Sequence, residues 1–307
     1  MKGYQVWIVV LALLAANLQY ATAQIDNTVI SQRSSITSTI TSFTNNVKNK
    51  VSDYTNKLTS LNNDVTSQLS SASQTLTTFL SDSVIGASAL AVSDVVSSFS
   101  ATLSASVSAT VSTLTAGFTS VGSCVANKTQ LSVNVVFSEL VTASANVTAA
   151  VTSSSSTFAN NCRGKYSGNA NDFVGQSASK FQDCLNGENT EQSRVSTILN
   201  DYTSIIRQNY QGFNNQVRYC SGLGSVNSRA EVKSQIKGCF LAVTNVAAPI
   251  FKATMAQQFN YATTMLQLEV VASNNRVRSC ISQVSATYKV MADAILPVVN
   301  SCLVTGQ

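Results

Sequence analysis

The sequence predicts an all-α protein: long amphipathic helices packed as a helical bundle in the N-terminal half, followed by a disulfide-stapled helical domain. Three observations carry this reading. Apolar residues recur every three or four positions over tens of residues. Proline is nearly absent, with 2 in 307 residues. Six of the 7 cysteines fall from residue 162 onward, on or beside apolar stripes.

The chain begins with Lys2, an apolar run over 6–16, and Ala21-Thr22-Ala23 before Gln24. This pattern is that of a secretory signal peptide over 1–23, whose apolar core is too short to span a bilayer. Later apolar runs are all interrupted by Ser, Thr or charge, so no transmembrane segment is expected and the product is read as secreted and extracellular.

The first ladder is Ile36, Ile40, Phe43, Val47, Val51, Tyr54, Leu58, Leu61, Val65, Leu69, Ala72, Leu76 and Phe79. Its 43 residues in 12 steps average about 3.6, the period of a straight α-helix, giving a rod of about 65 Å with one apolar stripe. Bare, that stripe would exceed the apolar patches soluble proteins tolerate, so it needs cover. A break is expected around Val84-Ile85-Gly86.

The second ladder follows: Val92, Val96, Phe99, Leu103, Val107, Val111, Leu114, Phe118, Val121 and Val125. Within it, residues 99–111 also alternate strictly between apolar and polar, as a strand would. The 13 residues exceed the usual strand length of about 5–6 and the wider ladder fits only a helix, which favours helix. A turn is expected over 122–128. The third ladder is Val133, Val136, Leu140, Ser144, Val147, Val151 and Phe158. From 83 to 161 the only charges are Asp94, Lys128 and Glu139, so Ser and Thr carry the surface polarity of a low-complexity segment. Scarce proline and burial-spaced apolar residues separate it from an extended mucin-like stalk.

Asn127-Lys128-Thr129 and Asn146-Val147-Thr148 are N-glycosylation acceptors, the first in the expected turn and the second one residue off the third stripe. Chance sequons are common in a chain this rich in Asn, Ser and Thr.

At Asn160-Asn161-Cys162-Arg163-Gly164-Lys165 the composition shifts, which divides the chain into a Ser/Thr-rich long-helix region (24–161) and a cysteine-containing helical domain (162–307). A short helix is expected around Phe173, Ser177, Phe181, Cys184 and Leu185. A longer one follows from a cap at Asn189-Thr190 through Val195, Leu199, Ile206, Tyr210, Phe213 and Cys220, stopped by Ser221-Gly222-Leu223-Gly224. A third covers about 229–247, with Pro249 marking the next start. The last, with Phe251, Met255, Phe259, Leu266, Val277, Ile281, Tyr288 and Ile295, is expected to break near Asn274-Asn275.

Cys162, Cys184, Cys220, Cys239, Cys280 and Cys302 are candidates for three disulfides that staple neighbouring helices, since an exported chain meets an oxidising compartment. Six cysteines allow 15 pairings and spacing does not choose among them. Cys124 is left over, as a free thiol or an intermolecular bridge.

The chain has no histidine. This excludes Ser-His-Asp and Cys-His catalysis and histidine metal sites together. Glu188 and Glu191 are the only acids within one helical turn of each other, and an acidic first turn of a helix accounts for them. CxxC spacing, a glycine-rich phosphate loop and a G-x-S-x-G elbow are all missing, so no enzyme, metal or cofactor is expected. Without Lys2 the 19 basic residues become 18, against 14 acidic, a net charge of +4. Such dilute charge does not suit nucleic acid.

In its all-helical pattern, signal peptide and widely spaced Cys162, Cys184, Cys220, Cys239, Cys280 and Cys302, the second half (about 160–303) resembles the TsetseEP domain family of secreted insect proteins. The resemblance implies an extracellular role at an epithelial surface such as the midgut, or in immune response, with neither catalytic residue nor cofactor. Two functions fit: a structural or interaction protein with a protein partner or self-association, or a carrier whose stripes cover lipid or another hydrophobic ligand. A stripe of mostly Val, Ile and Ala with scarce basic flanks favours the first, with a lipid surface as the alternative partner.

Overall fold

A computed structural model of the protein describes the backbone of residues 2–307, and the side chains from residue 24 onward except at 191 and 192. The expected signal segment, 1–23, lies outside the residues whose side chains are described. The element order is α1 (Lys2–Thr77), α2 (Gly86–Ser153), α3 (Ala159–Tyr166), α4 (Asn169–Gly222), α5 (Ala230–Ala242), a π-helical segment (Val243–Ala247) and α6 (Ala248–Thr305). Among the described residues there is no strand, and 99–111 lies within α2.

The stripes are the core. Every position of the first ladder is buried except Ile40 and Val51, which are half-buried. The second ladder departs only at Val111, half-buried, and the third only at Phe158, which lies past the end of α2 and is exposed.

Three expected breaks are continuous helix. α2 runs through 122–128, α4 through Asn189-Thr190 and α6 through Asn274-Asn275. In each case a polar residue occupies the core position that links two apolar runs: Thr129, Glu188 and Ser273, at 0%, 3% and 0% exposure. The Thr129 hydroxyl is satisfied within its own helix, donating to the Val125 carbonyl at 2.8 Å. Glu188 is therefore a buried residue inside α4 and does not lie in a helix's first turn, while the Glu191 side chain lies outside the described ones. The helix expected at 229–247 also does not stop before Pro249, because α5 passes through the π-helical segment into α6.

The chain divides into two compact units: unit 1 is Met1–Val47, Val121–Thr190 and Ser273–Gln307, and unit 2 is Lys48–Ser120 and Glu191–Ala272. Neither matches the 24–161 and 162–307 regions expected from composition. Both units draw on both regions, because the stripes of α1 and α2 are covered by helices of the second half.

In unit 2, Tyr54 of α1 meets Phe118 of α2 with ring centroids 5.9 Å apart, and Ser104 Oγ donates to Asn62 Oδ1 at 3.0 Å. The α2 partner number falls as the α1 number rises, so the two helices are antiparallel. Burial, with Asp53 and Glu269 nearby, pushes the Tyr54 phenol well above its ordinary pKa. From the second half, Phe213 of α4 and Phe251 of α6 close on Phe99 of α2 at 4.9 and 4.7 Å. The α1–α2 turn is tied by Asp82, whose Oδ1 accepts the amides of Val84 and Ile85 at 2.9 and 3.0 Å. Gly86 opens α2 because the chain doubles back closely there: a Cβ would lie 2.5 Å from the Leu80 carbonyl oxygen.

In unit 1, Gln182 Nε2 of α4 donates to Ser35 Oγ of α1 at 2.8 Å, and Phe173 of α4 meets Tyr288 of α6 at 6.4 Å. The end of α6 is held by the segment before α3 and by α3 itself. Ser156 Oγ donates to the Leu303 carbonyl at 2.6 Å and Asn161 Nδ2 to the Gly306 carbonyl at 3.2 Å. Gly306 has φ +78°, and a Cβ on it would come within 2.7 Å of the Phe158 ring.

Candidate functional site

The sequence leaves 15 pairings open for the six cysteines from 162 onward; the structure joins Cys162 to Cys302, Cys184 to Cys280 and Cys220 to Cys239. Their Cα atoms are 5.8, 5.7 and 5.5 Å apart, in the range disulfides require. The three loops are nested, with sequence separations of 140, 96 and 19. In unit 1 the partners' numbers add to 464 for 162 and 302, for 184 and 280, and for the ion pair of 188 with 276. A constant sum is the mark of antiparallel pairing in one register, so the bonds act as rungs between the α3–α4 limb and α6. Disulfides of this kind persist in an oxidising environment.

Sequence reasoning missed the charged groups that work with these rungs. Arg276 Nε and Nη2 donate to Glu188 Oε2 and Oε1 at 2.9 and 2.8 Å, a two-pronged contact one helical turn beyond Cys184–Cys280. Lys289 Nζ lies 3.1 Å from Glu139 Oε1 in the same unit. In unit 2, Lys233 Nζ donates to Asp82 Oδ2 at 2.7 Å. The Lys233 hydrogen bond, with the amides of Val84 and Ile85, holds the Asp82 carboxyl below its usual pKa. A local window around any one of these residues contains no signal for its partner, which sits 88 to 151 positions away.

Cys124 is unpaired and half-buried within α2, where a turn was expected. Asn127 and Asn146 are both exposed on α2. Asn146 lines a cavity of about 310 Å³ shared with Glu139 and Lys289. Among the described residues no three of His, Cys, Asp and Glu come together in a group that could hold a metal ion. By length and composition alone, two helical stretches are apolar enough to cross a membrane, Gly86–Ser153 and Ala230–Thr305, with mean hydropathies of 1.3 and 1.4 over their richest windows. Neither contains 18 consecutive apolar residues.

Comparison with models of protein families, with curated proteins and with solved structures finds no match to this chain.

Proposed function

We propose that this chain is a secreted, non-enzymatic structural or interaction protein, working at an insect epithelial surface such as the midgut or in immune response. The observation that carries the proposal is the combination of long helices, their stripes covered by other helices, with nested disulfide rungs. Such a body is braced against unfolding and proteolysis, and its outward faces of Ser, Thr and Asn are free to meet a partner. A signal peptide over 1–23 and N-glycans at Asn127 and Asn146 belong to the same proposal. The resemblance of the cysteine pattern to that of the TsetseEP domain family supports the compartment and tissue. The histidine-free composition supports the absence of catalysis.

The alternative, a carrier that covers lipid with its amphipathic helices, would require the stripes to leave the core. Their burial weighs against it. The test is chemical cross-linking of the native secretion, followed by pull-down and peptide identification. A recurrent cross-linked protein partner, or a second copy of this chain, is the expected result. Recovery of the chain only as an isolated monomer, bound to a lipid surface through exposed α1 and α2 stripes, would overturn the proposal in favour of the carrier.

A further inference from the structure

A groove runs through unit 2 between α4 and the stretch where α5 passes into α6. It consists of two adjoining hollows of about 520 and 460 Å³ that share Gln216, Val246 and Ala247. Each falls within the range of small-molecule clefts, about 300–1,000 Å³. One wall is the π-helical segment Val243–Ala247. A π turn carries an extra residue, which widens the helix locally, and such turns occur frequently at functional sites. The Cys220–Cys239 disulfide lies in the lining and ties the α4 wall to the α5 wall, so the two cannot slide apart.

The chemistry of the lining selects the occupant. Tyr219, Val246 and Ile250 line the groove while 68%, 59% and 64% exposed, an unusual amount of bare apolar surface for three neighbouring large residues. No charged residue lines either hollow. The polar side chains present are carboxamides and the hydroxyls of Tyr219 and Thr254; the Asn209 amide already donates to Gln258 Oε1 at 3.1 Å and the Thr254 hydroxyl to the Ile250 carbonyl at 2.9 Å. An anionic group held against this lining would lose part of its hydration with no cation beside it, a penalty that neutral molecules escape. A bilayer surface would call for basic residues beside the apolar ones, and the lining has none.

We propose that this groove binds an uncharged small molecule with an apolar body and one hydrogen-bonding group, of the class of long-chain alcohols and esters. The proposal concerns α4, α5 and α6 alone and does not depend on what the rest of the molecule meets.

Gly212 supplies the test. It lines the groove, and a Cβ added there meets no atom beyond its own helix within 4 Å, so a larger side chain has room to extend at the groove wall. Gly187, in the unit 1 part of α4, offers the same open space away from the groove and serves as the control. The oxidised full chain is titrated with the neutral fluorescent probe N-phenyl-1-naphthylamine, then competed with 1-dodecanol and with dodecanoate. Expected are saturable probe binding, displacement by the alcohol, and displacement by the carboxylate weaker by about ten-fold or more. Gly212→Phe is expected to weaken probe binding by about ten-fold with helicity retained, and Gly187→Phe to leave it unchanged. Val246→Glu, at an exposed position, gives a second reading if Gly212→Phe is poorly folded, and should likewise weaken binding by about ten-fold. Unchanged binding in Gly212→Phe or Val246→Glu would overturn the proposal. So would equal competition by dodecanoate, a probe signal that tracks dimer formation, or co-flotation with neutral phosphatidylcholine vesicles.

Discussion

Glu188 and Arg276 face each other across α4 and α6 in the same register as Cys184 and Cys280, so an ion pair and a covalent bond brace one stretch of the hairpin from adjacent turns. The Glu188 side chain is 2% exposed, whereas that of Arg276 is 38% exposed. The carboxylate is thus the desolvated member and depends on the guanidinium.

Removing the guanidinium alone is the costly change. Arg276→Ala should destabilise the oxidised protein by about 2–3 kcal/mol in urea unfolding, because it strands a buried charge. Replacing both partners with Met should cost less than Arg276→Ala. A double variant as unstable as the single one would show that the pair contributes more than the satisfaction of Glu188.

Mass mapping of the non-reduced protein is expected to return Cys162–Cys302, Cys184–Cys280 and Cys220–Cys239, with Cys124 alkylated without reduction. Exchanging either unit 1 pair for Ser should lower stability by about 2–4 kcal/mol. Any link from Cys124 into 162–302 would contradict the register.

Acid should loosen the α1–α2 turn. The folded Asp82 pKa lies below its unfolded value, so its contribution is present above the unfolded pKa of about 4 and is lost as pH falls through the lower folded value. Amide exchange at Val84 and Ile85, read between about pH 5 and pH 2 after correction for intrinsic rates, should accelerate in the wild type. In Asp82→Asn the corrected rates should already be high at the upper end and change little.

Limited proteolysis should not release 162–307 as an autonomous core. The stripes of α1 and α2 supply part of the core of each unit, so loss of 24–161 would strip Phe99 from Phe213 in unit 2 and Ser35 from Gln182 in unit 1. A stable fragment starting near Cys162, with native helicity and resistance, would restore the boundary read from composition.

The period of the stripes is local information, and for that reason the helices and their buried faces were legible: Phe43, Leu61, Leu103 and Val136 stand in the core where their spacing puts them. Helix ends were less so. The polar stretches 122–128, Asn189-Thr190 and Asn274-Asn275 have the composition of a turn, a cap and a break, yet next to them Thr129, Glu188 and Ser273 are core positions filled with polar groups, and the helix continues through them. Partner choice was not legible. The pairing of Cys184 with Cys280 and of Glu188 with Arg276 depends on a hairpin register set by the whole length of α4 and α6, and the π-helical segment follows from no single residue.

The nesting of the three disulfides has a kinetic meaning. Closing a loop costs entropy that grows with its length, so the 19-residue loop between Cys220 and Cys239 is the cheapest to close from the unfolded chain. Its closure brings Cys184 nearer to Cys280, and that bond in turn shortens the path between Cys162 and Cys302. Oxidation can therefore proceed from the hairpin tip outward like a zip fastener. Because no bond crosses another, at no stage must a chain end be threaded through a ring already closed.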